Sequence, residues 1–193
     1  DNWLSLTETD GEESVRATPI PPRRADGFLL GASLESAQLA AQLDWNIVFA
    51  AHLNGDKQLL REVLTRWREL SRRDAIIAVQ VIVAEEAATA AELAKSVETW
   101  GVELENGQRV TVGSEAQAAA FARQAGSRPT RIARRESAVL FGTPEQVKAQ
   151  LDALQSAWNI DEFIIDTPIN DGAVRLNSLR LLARAHLSAE VQP

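Results

Sequence analysis

The run AIIAVQVIVA, from Ala75 to Ala84, is the longest apolar stretch in the chain and decides its fold class. Apart from Gln80, both alternate sets of side chains are apolar, which is typical of a strand buried on both faces of a parallel sheet. The run is far shorter than the roughly 20 residues needed to cross a bilayer. We therefore expect a core strand of a soluble domain, with no membrane partner.

Strands and helices alternate on both sides of this run. The other predicted strands are Phe28 to Leu30, Trp45 to Ala51 and Glu162 to Asp166. The predicted helices are Ser33 to Leu43, about Lys57 to Leu70, Glu85 to Val97, Thr143 to Trp158 and Ala173 to Leu187. This order indicates right-handed βαβ units around a parallel sheet. Four such units make half of a (β/α)8 barrel of the TIM type.

Two segments interrupt that pattern. Residues 1–26 are polar and then rich in proline, which predicts an extended connector before a domain over 27–193. Residues 100–141 are predicted to form an insertion or lid. Within it, Asn106-Gly107 predicts a hairpin with a type I′ turn, followed by a helix from Ser114 to Gln124 and a basic loop from Arg128 to Arg135.

Composition excludes several classes of function. The chain has 193 residues, no cysteine and a net charge of -7. A nucleic-acid surface is not expected, because phosphate binding relies on clustered Lys and Arg. We expect no thiolate metal site and no disulfide, which fits the reducing cytoplasm. There is no Met, not even an initiator, so we expect either a processed or trimmed piece of a longer protein or a sequence from which residues have been omitted.

The turn from Gly31 to Ser36 (GASLES) joins a buried strand to a helix N-terminus. Free backbone N–H groups and the positive end of the helix dipole favour an anion there, and two serine hydroxyls add donors. The alternative is that Ser33 is simply an N-cap, a common role for serine. Local sequence alone leaves both interpretations open.

Several motifs in a fixed order resemble the luciferase-like flavin-dependent monooxygenases, in the C-terminal half of their barrel. These motifs are FLLGASLESAQLAAQLDWNIVFAAHLNG (Phe28 to Gly55), GTPEQVKAQLDAL (Gly142 to Leu154), DEFIIDTP (Asp161 to Pro168), and Arg175 with SLRLLA (Ser178 to Ala183). The resemblance spans nearly all of residues 15–185. One position departs from it, since Asp44 stands where the family has a helix-ending glycine.

The resemblance implies a flavin site. FMN is the expected cofactor, a deazaflavin being the less favoured choice. The residues implied to hold it are Gly31, Ala32, Ser33, Leu34, Glu35, Ser36, Ala50 and Ala51. His52 is a weak catalytic candidate, because a loop histidine is more often a polar surface group. No metal is expected.

The resemblance also implies an activity. The intact enzyme would use reduced flavin, supplied by a flavin reductase, and dioxygen to oxidise a small organic substrate, and it would be a homodimer. The alternative is a non-catalytic flavin-binding or interaction protein derived from the same fold. Arg128, Arg131, Arg134 and Arg135 either close over an anionic ligand or form a solvated loop. We expect Asp166 to hold the following loop through turn hydrogen bonds towards Asn170.

Overall fold

The computed structural model describes residues 25–51, 57–135 and 137–190, and the side chains of this last segment up to residue 187. The described strands are β1 (Phe28–Gly31), β2 (Asn46–Ala50), β3 (Ile76–Val83), β4 (Thr99–Leu104), β5 (Arg109–Val112), β6 (Pro129–Arg135), β7 (Leu140–Gly142) and β8 (Phe163–Asp166). The described helices are α1 (Leu34–Gln42), α2 (Lys57–Ser71), α3 (Ala87–Lys95), α4 (Glu115–Gln124), α5 (Pro144–Trp158) and α6 (Gly172–Glu190).

The main sheet is parallel throughout, as predicted. β2 lies between β1 and β3. On its other side β3 pairs first with β8, where Ile77 lies opposite Phe163, and then with the short β7, where Val81 lies opposite Leu140. The carboxyl ends of these strands therefore meet along one edge of the sheet. The prediction of a mixed α/β fold with a parallel sheet is confirmed.

Four helices bury one face of this sheet. Trp67 of α2 and Phe49 of β2 are both fully buried there, together with Val147 of α5. Helix α2 places its apolar residues at Leu60, Val63, Leu64 and Trp67, the spacing that puts them on one side of a helix. The outer faces of these helices are mixed, since polar residues there alternate with exposed apolar ones such as Leu39 and Leu176.

The other face of the sheet is apolar but only partly covered. Val48, Ile76 and Ala78 form a small buried cluster there. The residues of the outer strand β1 on this face are not covered, since Phe28 is 52% exposed and Leu30 is 59% exposed. The described part of the chain places no helix over these outer residues, so a large apolar surface faces solvent.

The insertion is a small antiparallel sheet in the order β5-β4-β6, packed against α4. The hairpin forms as predicted, but its turn is not of type I′. Among Glu105, Asn106 and Gly107 only the glycine has a positive φ, of 83°, and the N–H of Gly107 donates to the carbonyl of Leu104 at 2.9 Å. This is a three-residue loop ending in a left-handed glycine, the next commonest hairpin connection.

The prediction of a basic loop from Arg128 to Arg135 was wrong. Residues 129–135 form β6, which pairs antiparallel with β4. The arginine-rich sequence shows little alternation, so only its pairing with a distant strand makes it extended. β7 was also not predicted, and its pairing with β3 places the end of the range 100–141 in the main sheet. The division into connector, half-barrel and lid stays a prediction.

Arg73, just before β3, forms hydrogen bonds with residues just before β2. Arg73 donates to the carboxylate of Asp44 at 3.0 Å and to the carbonyl of Trp45 at 3.2 Å. Its guanidinium also lies 5.3 Å from the ring centroid of Trp67. Asp44 adopts a φ of 55°, so this position does need left-handed backbone, as the glycine usual there suggests.

We predict that Arg73→Gln lowers the free energy of unfolding of the full-length protein by about 1 to 2 kcal/mol, because a charge-assisted hydrogen bond and a cation–π contact are lost together. Urea unfolding measures the change. Arg66→Gln is the matched control, since Arg66 makes only an exposed pair with Glu69, and it should change stability by less than about 0.5 kcal/mol. Equal effects of the two variants would contradict the role given to Arg73.

Candidate functional site

The predicted phosphate turn lies where β1 ends and α1 begins. Ser33 is the N-cap of α1, and its hydroxyl oxygen accepts a hydrogen bond from the backbone N–H of Ser36 at 3.2 Å. The two hydroxyl oxygens, of Ser33 and Ser36, are 3.2 Å apart. The capping interpretation of Ser33 is therefore correct, and the turn brings both hydroxyls to the positive end of the helix dipole.

The turn already attracts an anion from within the chain. Hydrogen bonds from the backbone N–H of Glu35 and from the Ser33 hydroxyl lower the pKa of the Glu35 carboxyl below its usual range. Glu35 is itself exposed.

Gly31 is packed too tightly to carry a side chain. A Cβ built on it would lie 2.3 Å from the Ser36 Oγ and 2.4 Å from the Ser36 Cβ. Glycine is therefore required for Ser36 to fold back over the strand end. Ala32 and Leu34 pack against the main core.

The remaining predicted site residues belong to the next strand. Ala50 is the last residue of β2 and is buried, and Ala51 follows it with its N–H donating to the carbonyl of Ala78 at 3.1 Å. Gly31 pairs with Phe49, so the serine turn and Ala50 end neighbouring strands at the same edge. His52 lies outside the described residues. That these residues hold a flavin stays a prediction.

The structure places Asp166 differently from the prediction. Its Oδ2 accepts a hydrogen bond from the Gln80 side chain at 2.9 Å, across β3 and β8. Both residues lie on the partly covered face, at the carboxyl end of β8. The sequence marks Gln80 as the single polar residue in the apolar run of β3. It does not indicate the hydrogen-bond partner, because Asp166 is 86 residues away.

Sequence reasoning also missed Ser178. This residue of α6 is 1% exposed, and its hydroxyl oxygen accepts a hydrogen bond from the backbone N–H of Val83 at 2.8 Å. Val83 ends β3, so Ser178 satisfies the last N–H of the central strand and fixes α6 against it. Its role is structural.

A cavity of about 320 Å³, which we call the polar cavity, lies between the carboxyl edge of the main sheet and the antiparallel sheet. Its lining includes Gln80, Val97, Glu98, Thr111, Pro168 and Asn170. It opens beside the Gln80–Asp166 pair. In open α/β sheets and in barrels, ligands bind at this end of the strands.

Comparison with known proteins identifies the family. No family model matches the chain. Over 187 residues, or 95% of its length, the chain is 32% identical to N-acetyl-S-alkylcysteine monooxygenase from Bacillus subtilis (strain 168). The chain belongs to the luciferase-like monooxygenases.

Solved structures support the fold of this luciferase-like chain. The crystal structure of apo-MsnO8 matches 98% of it with a TM-score of 0.62 at 22% identity. The oxygenating constituent of 3,6-diketocamphane monooxygenase from Pseudomonas putida, solved in complex with FMN, matches 81% with a TM-score of 0.52 at 16% identity.

The luciferase-like chain spans about half the length of the proteins it matches, namely 56% of the Bacillus relative, 58% of MsnO8 and 46% of the diketocamphane enzyme. Of the helices that the structure describes, none combines the length and the apolar character needed to cross a membrane.

We predict that Gly31→Ala destabilises the full-length protein by about 1 to 3 kcal/mol, because the added methyl group overlaps Ser36 and must displace it. Chemical denaturation measures this loss. Gly172→Ala is the matched control, since a Cβ there meets no atom within 4 Å. An unchanged stability for Gly31→Ala would show that the close contact between Gly31 and Ser36 does not exist in solution.

Proposed function

We propose that the complete protein is a flavin-dependent monooxygenase that uses reduced flavin and dioxygen to oxidise a small organic substrate. The observation that carries this proposal is the serine turn, which offers hydroxyl and backbone donors to an anion at a helix N-terminus. The 32% identity to a monooxygenase over nearly the whole chain supports it. FMN is the proposed cofactor, supplied in reduced form by a reductase in the cytoplasm.

The residues of the turn fit a flavin phosphate. Ser33 and Ser36 would donate from their hydroxyls, and Leu34 and Glu35 from their backbone N–H groups. Gly31 and Ala32 have no side chain or a small one, so the phosphate would approach their backbone closely. Ala50 and Ala51 would lie under the rest of the flavin. The flavin supplies the redox chemistry when bound, while this chain's residues hold it and exclude water.

The Glu35 carboxylate must leave its hydrogen bonds when a phosphate binds, because two anions cannot share the same donors. Its displacement opposes binding, so the turn holds phosphate less tightly than its donors alone would allow.

We further propose that the complete protein closes the sheet into a (β/α)8 barrel. Among the described strands β1 pairs only with β2, and β8 only with β3, so each leaves one edge open. The exposed Phe28, Leu30 and Ile164 lie on the face that a barrel would enclose. Four further strands, from sequence outside this chain, would cover that face. A homodimer is proposed on the resemblance alone.

The enzyme is tested with the full-length protein, a flavin reductase, NADH and FMN. We expect FMN to bind, with substrate-dependent oxygen consumption and an oxygenated product by mass spectrometry. N-acetyl-S-methylcysteine belongs among the substrates, because the Bacillus relative is named for that class of thioether. Bound flavin that supports no oxygenation of any substrate would favour the non-catalytic flavin-binding protein. The absorbance spectrum of the bound cofactor separates FMN from a deazaflavin.

We predict that Ser33→Ala weakens FMN binding about tenfold, since one hydrogen bond to a charged group is lost. Ser114→Ala is the matched control, because Ser114 caps α4 with the same 3.2 Å hydrogen bond to a backbone N–H. Both variants should lose about 1 kcal/mol of stability with their cap. Fluorescence titration of FMN measures the affinity, and equal affinities for the two variants would count against the phosphate site.

We predict that Glu35→Gln tightens FMN binding severalfold at pH 7. Because the pKa of Glu35 is lowered, its carboxylate is ionised at that pH and competes with the phosphate. The difference in affinity between the unsubstituted protein and Glu35→Gln should shrink as the pH falls through the lowered pKa, where the carboxyl becomes neutral. Glu145→Gln is the control, since Thr143 and a backbone N–H hold Glu145 in the same way at α5. Weaker FMN binding by Glu35→Gln at pH 7 would refute the competition.

A further inference from the structure

A second cavity, which we call the basic cavity, has a volume of about 390 Å³ and lies where α3 ends and β6 leads towards β7. Its lining residues are Ala94, Lys95, Val97, Arg134, Arg135 and Ser137. Val97 also lines the polar cavity, so the two cavities are neighbours. The basic cavity thus adjoins the polar cavity, which lies at the carboxyl edge of the main sheet.

Among the residues that the structure describes, the lining includes three cations and no acidic residue. Lys95 pairs with Glu92 at 2.6 Å, but both side chains are exposed and the pair is weak. Neither Arg134 nor Arg135 forms an ion pair with a residue that the structure describes. Arg134 and Arg135 are exposed, and in a chain of net charge -7 three cations around one cavity attract an anion.

The two arginines are held in place by β6. Arg134 lies opposite Trp100 and Arg135 opposite Thr99, at the end of the β4–β6 ladder. Arg135 packs over the backbone of Gly101, where an added Cβ would lie 2.2 Å from its Nε. Successive side chains of a strand point to opposite faces, so the two guanidinium groups approach the cavity from different sides.

Ser137 adds a hydrogen-bonding group without a partner. Its hydroxyl oxygen is buried and makes no hydrogen bond with any described residue. A buried polar atom left unpaired lowers stability, so such atoms are rare unless a ligand or water satisfies them. A carboxylate oxygen in the basic cavity would accept this hydrogen bond.

We propose that the basic cavity binds the carboxylate of an organic acid substrate, whose oxidised end then lies in the polar cavity. This inference rests on the proposed monooxygenase function and specifies its substrate class. Arg134 and Arg135 provide the charge, and Ser137 donates a hydrogen bond. The same chemistry would accept a phosphate, so the test separates a substrate carboxylate from the flavin phosphate.

The test is calorimetric titration of the full-length protein without flavin, using N-acetyl-S-methylcysteine and its uncharged carboxamide as probes. We expect the acid to bind at least about tenfold more tightly than the amide, because only the acid forms charge-assisted hydrogen bonds. Arg134→Gln and Arg135→Gln should each remove most of that difference. Ser137→Ala should weaken binding of the acid but not of the amide, with no loss of protein stability.

Arg131→Gln is the matched control, since Arg131 lies on the same strand but outside the cavity lining. It should leave the affinities for acid and amide unchanged. Equal binding of acid and amide would overturn the proposal. If Arg131→Gln reduced the preference for the acid as much as Arg134→Gln and Arg135→Gln, the proposal would also be overturned. The arginines would then act only through the net charge of an edge strand.

Flavin titrations distinguish this failure from failure of the proposed function. We expect Arg134→Gln and Arg135→Gln to leave the affinity ratio of FMN to riboflavin unchanged. A reduced ratio would assign the basic cavity to the flavin phosphate and refute the carboxylate site. Full-length protein that binds the acid but no flavin would refute the monooxygenase function, whereas flavin binding without preference for the acid would refute only the carboxylate site.

Discussion

Burial of β3 is the constraint on which the rest of the structure depends. Its helix-facing side chains Ile77, Val79, Val81 and Val83 pack under the four large helices, and it pairs with β2, β7 and β8. A parallel sheet is stable only when both faces are covered. Helices cover one face of the sheet and leave Phe28 and Leu30 exposed on the other, and the proposed barrel would cover that second face.

The same packing creates the candidate site. Parallel strands that share one core end at one edge. Gly31, Ala50 and Asp166, which lie at the carboxyl ends of β1, β2 and β8, are therefore all at that edge. Each following helix turns its N-terminus towards that edge, and α1 adds the Ser33 and Ser36 hydroxyls there. The capping role of Ser33 and its proposed phosphate role do not conflict, since both use donors that a helix leaves free at its first turn.

The polar groups near this edge differ in how they are satisfied. Ser178 is fully buried and bonded to the backbone of Val83, which makes it part of the framework. The Gln80–Asp166 pair stands on an otherwise apolar face and is only partly enclosed. Arg134, Arg135 and Ser137 are left without ion pairs or hydrogen bonds among the described side chains. Of these three groups, the buried Ser137 hydroxyl is the one that lacks a hydrogen-bond partner which a ligand could supply.

The sequence by itself determined the parallel α/β class, four strands of the main sheet and the hairpin, because hydrophobic periodicity and glycine turns are local signals. Only the tertiary structure decided that residues 129–135 form a strand and that β7 joins β3, since both depend on pairing with distant backbone. It also decided that Asp166 accepts a hydrogen bond from Gln80. Such contacts depend on which strands become neighbours, and no local pattern encodes that choice.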